Sequence, residues 1–534
     1  MQSLKIKLYS FTYVFIFFSS IIYAVDSQTA IPQAQAPSTQ QVSPNLTALE
    51  TLVNDEAAYF KKRDAWIAEN AKINFSSSIV LNAEEQKLNK YLKSIIDKFG
   101  NQFVESNFFW PAQNFATVRT DIEKSPLFAL LRRMPKGGLL HIHGPTEGDS
   151  EWMVHWAITH DECYIYMKDD GPTLKGTMMA FPKDQVPPGY VSMGEAAAND
   201  SNFEAKVLDM ITITAEDSRS ANPFAKFDKC FERCRGILHY VPFFKDYVTH
   251  TANTWLDDNI QFVEIRVQVS KGYYDLSGEP VNHDDVLGFA TAVNKEIAKT
   301  HPGWTVKTIL SDKRAAELTQ DLALLETAFK ARATYPDLIV GYDLVGYESA
   351  GHTTLYFLKN LLTAAKELSK KYNVDMPYFF HDGESDWAND DNLYDAILLN
   401  SKRIGHGFNL YYFPWLIEQV KKQDICIEVC PISNQMLGYV GDLRLHPAAG
   451  YLRQGVQCVI CSDDPQLFLT KGLSYDFWEA IMAWNLTLAD IKKLCLNSIT
   501  YSSLTDTEKK EMFVIWQKAW DAFVKQILAE VPST

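Results

Sequence analysis

Little in this 534-residue chain points to a polyanionic partner: 51 Lys and Arg stand against 66 Asp and Glu, a formal charge of −15. Nucleic-acid binding relies on cationic side chains that neutralise phosphates, so this balance argues against nucleic acid and favours a small neutral substrate. Cysteine is also scarce. Eight in so long a chain fall short of the density of a disulfide-built scaffold, and zinc-finger spacing is absent. Cys426, Cys430, Cys458 and Cys461 lie on apolar segments and Cys230 and Cys234 have helical spacing, so buried thiols are expected. Cys163 has no cysteine partner before Cys230. No Gly-rich phosphate turn follows the first candidate strand, which argues against a doubly wound sheet.

What is present is ordinary globular usage, 46% hydrophobic and 22% charged, enough for a sizeable core. The N-terminus departs from it. Lys5 and Lys7 precede an uncharged apolar run from Leu8 to Ala24, the pattern of a signal peptide over residues 1–24. A run of about 17 residues is short for a membrane span, and no stop-transfer lysines follow it. Secretion to the extracellular space, with no membrane anchor after cleavage, is therefore expected. Residues 25–47, dominated by Gln, Pro, Ser, Thr and Ala, read as a flexible polar leader. Four N-x-S/T sequons, at Asn45, Asn74, Asn199 and Asn485, are compatible with that route.

From residue 137 onward, short β-rich runs alternate with helical stretches. Eight strands are predicted, at 137–143, 260–267, 304–310, 338–345, 376–380, 403–407, 425–430 and 456–462. Most gaps accommodate a crossover helix, so the strands should be parallel and close into an α/β (β/α)8 TIM barrel spanning 131–534. Residues 144–259 are far too many for one connection, and an inserted subdomain is expected at about 144–222. Within it, 181–194 and 195–205 read as loop, and 224–240 beyond it as an amphipathic helix. Residues 48–130 read as a helical extension, opening with Leu49, Leu52, Val53, Ala57 and Phe60 at helical spacing, and 475–534 as closing helices. Apolar residues at that spacing outside a complete barrel need a surface to cover, and a homodimer through 48–130 is expected.

Active sites of such barrels sit at the C-terminal strand ends. Strand one ends in His141-Ile-His143, strand five is followed by His381-Asp-Gly-Glu384, strand six carries His406, and strand eight ends in Asp463-Asp464-Pro465. The i, i+2 spacing of His141 and His143 puts both imidazoles on one face of a strand, where they can chelate one ion. Singly, these residues have blander readings: polar residues facing solvent, or a helix cap before Pro465. Together, three imidazoles and a carboxylate suit zinc with room for a water whose pKa it lowers. Glu264 and Arg266 read as an ion pair inside the barrel, Asp343 as a partner for a ligand histidine, and Ser433 and Asn434 as rim residues.

At these residues the sequence resembles the adenosine deaminase family. MPKGGLLHIHG (134–144), HDGE (381–384), RIGHG (403–407), CPISN (430–434) and SDDP (462–465) look like its motifs in order. VEIR (263–266), GYDLVG (341–346) and KGLSYDFWEA (471–480) look like its secreted, growth-factor-related branch, and the likeness covers roughly 50–530. It implies zinc held by His141, His143, His381 and Asp463. Glu384 would then protonate purine N1, His406 would orient or deprotonate the attacking water, Asp464 would meet the N7 edge, and the Gly346 backbone would meet N3. It implies hydrolytic deamination of adenosine or 2′-deoxyadenosine, and it too points to dimerisation through the N-terminal extension.

Three positions depart from the family's pattern. Gly144 stands where relatives carry an aspartate aimed at the ribose, SGEP (277–280) lacks a following histidine although His283 is near, and Asp382 replaces a usual alanine. Recognition of the sugar is expected to be altered, unless Glu147 or Asp149 replaces the missing carboxylate. Deamination of another purine nucleoside, guanosine or a 5′-modified adenosine, is the second reading. A secreted growth-factor-like ligand with a receptor or glycan partner is the third.

Overall fold

Parallel strands buried on both faces need helices on one side and a filled interior on the other, and the ladder pattern follows from that. The computed structural model of the chain describes residues 55–106, 108–268, 272–279 and 281–530, and their side chains except at 101–104 and 283–287. The expected signal peptide and leader, together with Leu49, Leu52 and Val53, lie outside the described residues. In chain order the strands are β1 (Gly137–His143), β2 (Cys163–Tyr166), β3 (Met178–Ala180), β4 (Tyr190–Ser192), β5 (Ile260–Gln268), β6 (Val306–Lys313), β7 (Ile339–Val345), β8 (His381–Asp382), β9 (Arg403–His406), β10 (Cys426–Val429) and β11 (Cys458–Ile460).

Two four-stranded parallel sheets, β1-β5-β6-β7 and β8-β9-β10-β11, make up the barrel wall. Parallel bridges from Ile142 to Asp463 and from Tyr342 to Tyr378 join their edges, so the eight strands close with no free edge. At the first seam His143 N–H donates to the Asp463 carbonyl at 3.2 Å and Asp463 N–H to the His141 carbonyl at 3.1 Å. The two expected ligand segments are thereby stitched to one another. Helices Leu318–Thr334, Ala365–Tyr372 and Asn392–Leu398 lie in the crossovers.

Two strands differ from expectation. β6 begins at Val306 and runs to Lys313, because Ser311, Asp312 and Lys313 keep pairing with Asp343, Leu344 and Val345. The fifth barrel strand pairs with β9 only at His381 and Asp382, after the 376–380 run. Pro377 has no N–H to give a ladder; its carbonyl instead accepts from Tyr342 N–H at 2.9 Å, tying that run to β7.

Between β1 and β5 the insertion has an antiparallel sheet, β3-β2-β4, and a hydrophobic core of its own that includes Met153, Ile165, Phe203 and Val207. That core continues past residue 222 through Cys234, Ile237 and Phe243 on helices Phe224–Leu238 and Val241–Asp257. The 195–205 run is helical rather than loop, within Met193–Asn199 and Phe203–Ile211. Ser192 starts the first by accepting Glu195 N–H at 3.3 Å, a cap written in the sequence as Ser-x-x-Glu. All eight cysteines are buried free thiols.

Helix Glu56–Ile73 buries none of its residues and exposes Tyr59, Phe60, Trp66 and Ile67. Helix Ala83–Ser106, by contrast, sinks Leu88, Leu92 and Ile95 into the main core. Its Glu85 accepts Trp520 Nε1–H at 2.8 Å from the closing helix Asp506–Glu530. Among the described residues no helix is long and apolar enough to cross a membrane.

Candidate active site

Strand ends carrying the four expected ligands meet at the barrel mouth. One donor atom each from His141, His143, His381 and Asp463 falls within 4.8 Å of the others. Nε2 of His141 and Nε2 of His143 each lie 3.2 Å from Asp463 Oδ1, and His143 Nε2 lies 3.2 Å from His381 Nε2. Buried His141 Nε2 makes no hydrogen bond. A buried nitrogen without a partner, facing two further imidazoles and a carboxylate, fits a divalent ion of zinc's ligand preference.

Carboxylates inside the barrel hold two of these imidazoles by their other nitrogens. His141 Nδ1 lies 2.8 Å from Glu428 Oε2, and His381 Nδ1 lies 2.7 Å from Asp343 Oδ2. Arg266 joins the two anchors, donating from Nε to Asp343 at 2.6 Å and from its terminal nitrogen to Glu428 at 2.7 Å. Arg403 completes the network, donating to Glu428 at 2.6 Å and to Glu264 at 2.7 Å. The expected Glu264–Arg266 pair is therefore replaced: both side chains point inward, but Arg266 serves the histidine anchors and Glu264 takes Arg403. Burial opposes ionisation of Asp343, yet His381 and Arg266 hold its carboxyl below the ordinary range. Burial likewise opposes ionisation of Glu428, and Arg266 and Arg403 keep it charged. Burial pushes His381 down to about 3, so it is a neutral imidazole with a lone pair to offer.

The expected acid–base residues surround this cluster. His406 Nε2 is 3.8 Å from Glu384 Oε1 and 3.8 Å from Asp463 Oδ2. His406 and Asp463 both adopt left-handed backbone, φ 60° and 59°, a strain concentrated where the side chains must converge. Burial and the nearby charges of Asp463, Glu348 and Asp464 push the Glu384 carboxyl well above its ordinary range. Glu348 positions it, accepting the N–H groups of Gly383 at 2.9 Å and Glu384 at 2.6 Å. Gly383, at φ +80°, has no room for a side chain, since an added Cβ would meet Asn409 Oδ1 at 2.7 Å. Burial and Asp463 also raise Asp464, whose Oδ1 accepts from the Thr146 hydroxyl. Gly346 follows β7 at φ +100° with nothing within 4 Å of an added Cβ, which leaves its backbone open to a ligand.

Ser433 and Asn434 do more than shape the rim. Ser433 Oγ–H donates to Asp463 Oδ2 at 2.7 Å, and Asn434 Nδ2 lies 3.2 Å from His406 Nδ1. Asp382 is fully buried and tied to Arg314 and, at 2.7 Å, to the Thr354 hydroxyl. Asp149 caps helix Ser150–Ile158 and pairs with Lys471 at 2.8 Å, whereas buried Glu147 has an oxygen without a partner. Pro280 and the side chain of His283 lie outside the described residues.

A closed parallel barrel carrying a metal-type donor set and, beside it, a buried glutamate whose carboxyl is raised above its ordinary range defines a barrel hydrolase. The adenosine deaminase family profile matches residues 196–515. Adenosine deaminase 2 of Sus scrofa is 33% identical over 485 residues, 88% of this chain and 94% of that one. The Homo sapiens protein of the same name is 34% identical, covering 84% and 90%. The chain belongs to the adenosine deaminase family and is a hydrolase of it. Two solved structures share the fold: the adenine deaminase of Arthrobacter aurescens, TM-score 0.52 at 16% identity over 73% of this chain and 100% of that one, and an arabidopsis N6-mAMP deaminase, 0.52 at 17% over 73% and 99%.

Proposed function

We propose that this chain is a secreted, zinc-dependent adenosine deaminase that converts adenosine or 2′-deoxyadenosine to the inosine nucleoside and ammonia. The observation that carries the reading is the convergence of His141, His143, His381 and Asp463 beside a buried Glu384 whose carboxyl its surroundings raise above the ordinary range. Those four residues would hold the ion, which when bound supplies Lewis acidity and lowers the pKa of a water. Glu384 donates its proton to purine N1 and so draws electron density from C6. The attacking oxygen adds to C6, and ammonia leaves once the amino nitrogen has been protonated. Asp464, whose carboxyl burial and Asp463 raise above its ordinary range, hydrogen-bonds the N7 edge while the Thr146 hydroxyl donates to its Oδ1. The Gly346 backbone meets N3. A dry barrel mouth supports each contact by keeping competing water away.

Secretion rests on the Leu8–Ala24 run, and a homodimer through 48–130 on the exposed Tyr59, Phe60, Trp66 and Ile67. The deciding experiment is ammonia release by purified protein across a panel of nucleosides, with metal analysis of the same sample. Adenosine turnover with about one zinc per chain, abolished by chelation, is expected. Turnover of guanosine alone, or of no nucleoside by metal-loaded protein, overturns the reading.

A further inference from the structure

Behind His406 lies a chain of hydrogen bonds that starts at a main-chain amide. Ala448 N–H donates to His446 Nδ1 at 3.1 Å. A backbone amide can only donate, so Nδ1 of His446 is a lone pair. His446 is buried, and burial pushes its pKa down to about 3, so the ring is neutral and carries its one proton on Nε2. Nε2 lies 2.9 Å from Asn434 Oδ1. That bond settles which way the carboxamide faces: Oδ1 accepts from His446, and Nδ2 is the donor toward His406 Nδ1 at 3.2 Å. His406 Nδ1 therefore accepts and carries no proton, so the ring is not the doubly protonated imidazolium. Its proton must then sit on Nε2, the atom that faces Glu384 and Asp463 and has no hydrogen-bond partner.

The relay is rigidly framed. The His446 ring packs edge-on to Phe408 at 5.2 Å and against Trp484 at 5.4 Å between centroids. Trp484 is itself fixed by its Nε1–H to the Leu443 carbonyl at 2.9 Å. Asn434 is fully buried, and its carbonyl accepts Tyr439 N–H at 3.0 Å.

We propose that His446 and Asn434 are positioning residues that hold His406 as its Nε2–H tautomer, which makes His406 a hydrogen-bond donor to the attacking oxygen and not the base that deprotonates it. The proposal rests on the deaminase reading above and decides between the two roles, orienting and deprotonating, open to His406. The proton balance then falls to Glu384. Having given its proton to N1, its carboxylate takes one from the attacking water as the C6–O bond forms and passes it to the amino nitrogen. The C6–N bond breaks to release ammonia, and the C6 hydroxyl returns its proton to Glu384 as the carbonyl forms. One water is consumed and the acid is regenerated.

The test is the 15N spectrum of the metal-loaded protein with labelled histidine, His406 being assigned by its loss in H406Q. A protonated ring nitrogen and a lone-pair nitrogen resonate far apart, so the tautomer is read directly, whatever the activity. The expected result is Nε2–H in the parent. Asn434→Asp, which offers only acceptors in the same shape, should move the proton to Nδ1. It should also cut kcat by about 100-fold or more, with KM within about threefold and metal content unchanged, the scale of losing one preorganised donor. His446→Phe keeps the ring and frees the Asn434 carboxamide to turn, so a mixture of tautomers and an intermediate loss of kcat are expected. An Nδ1–H parent, or His406 remaining wholly Nε2–H in both variants, overturns the proposal. A parent that deaminates no nucleoside overturns the deaminase reading and leaves the ring signals to judge the relay.

Discussion

His381 Nδ1 and Asp343 Oδ2 lie 2.7 Å apart inside the barrel, and the same carboxylate accepts the His381 main-chain N–H at 2.9 Å. One residue on β7 thus fixes both the backbone and the ring of a candidate ligand on β8. Partners of this kind set ring orientation and ligand basicity, and their loss typically costs 10–100-fold in metal affinity. Asp343→Asn should bind zinc about that much more weakly in a competitive chelator titration. Undiminished affinity would mean that the ring is held by packing alone.

Glu384→Gln keeps the shape of the side chain and its main-chain contacts to Glu348 but has no acidic proton. Zinc content should be retained while kcat falls by about 100-fold or more, the range for a positioned acid or base. Near-parental turnover in a zinc-loaded variant would place the proton donor elsewhere.

Much of this site is legible in the chain because strand alternation is strict. His141 and His143 two residues apart must share a face, and polar residues at strand ends in a barrel must share a mouth. Partner choice was less legible. Glu428, a lone acid inside the apolar run ICIEVC, is the signal for an internal anchor, yet spacing alone pairs Arg266 with Glu264 on its own strand. Which acid a buried arginine takes depends on barrel closure, and that is settled by register between strands more than 70 residues apart in sequence, such as Arg266 and Asp343. The role of Asn434 was hidden for the same reason: its partner His446 is identifiable only once the turn at Leu443–Leu445 folds back.

Asp382 illustrates the opposite lesson, since a carboxylate next to a candidate ligand in sequence is committed to Arg314 and Thr354 instead. Arg314 and Asp382 are both fully buried, and removing one partner of such a pair leaves an uncompensated charge at a cost of about 3–5 kcal/mol. Asp382→Ala should lower the unfolding midpoint sharply, while KM for adenosine in the folded fraction stays within about twofold. A changed KM at unchanged stability would put Asp382 back at the substrate.

The sugar end gives the last prediction. Gly144 opens a short 3-10 turn, Gly144–Thr146, and Glu147 is its C-cap. Side chains three residues apart in a 3-10 turn stand one above the other, so Glu147 is the nearby carboxyl expected on the side of Gly144. An added Cβ at Gly144 would meet Val267 Cγ2 at 3.4 Å, the β5 side of the mouth. Glu147 is buried with one oxygen unpartnered, and burial raises its carboxyl well above the ordinary range. A neutral carboxyl can both donate to and accept from a hydroxyl, which suits a ribose. Asp149 has no such freedom, being committed to its helix cap and to Lys471. Removing the 5′-hydroxyl from adenosine should therefore cost about tenfold in kcat/KM, the worth of one hydrogen bond to a buried polar group. In Glu147→Leu the parent substrate should lose a similar factor, and adenosine and 5′-deoxyadenosine should become nearly equivalent. If the unaltered protein already turns over both equally well, the contact has not been rebuilt and sugar recognition is relaxed instead.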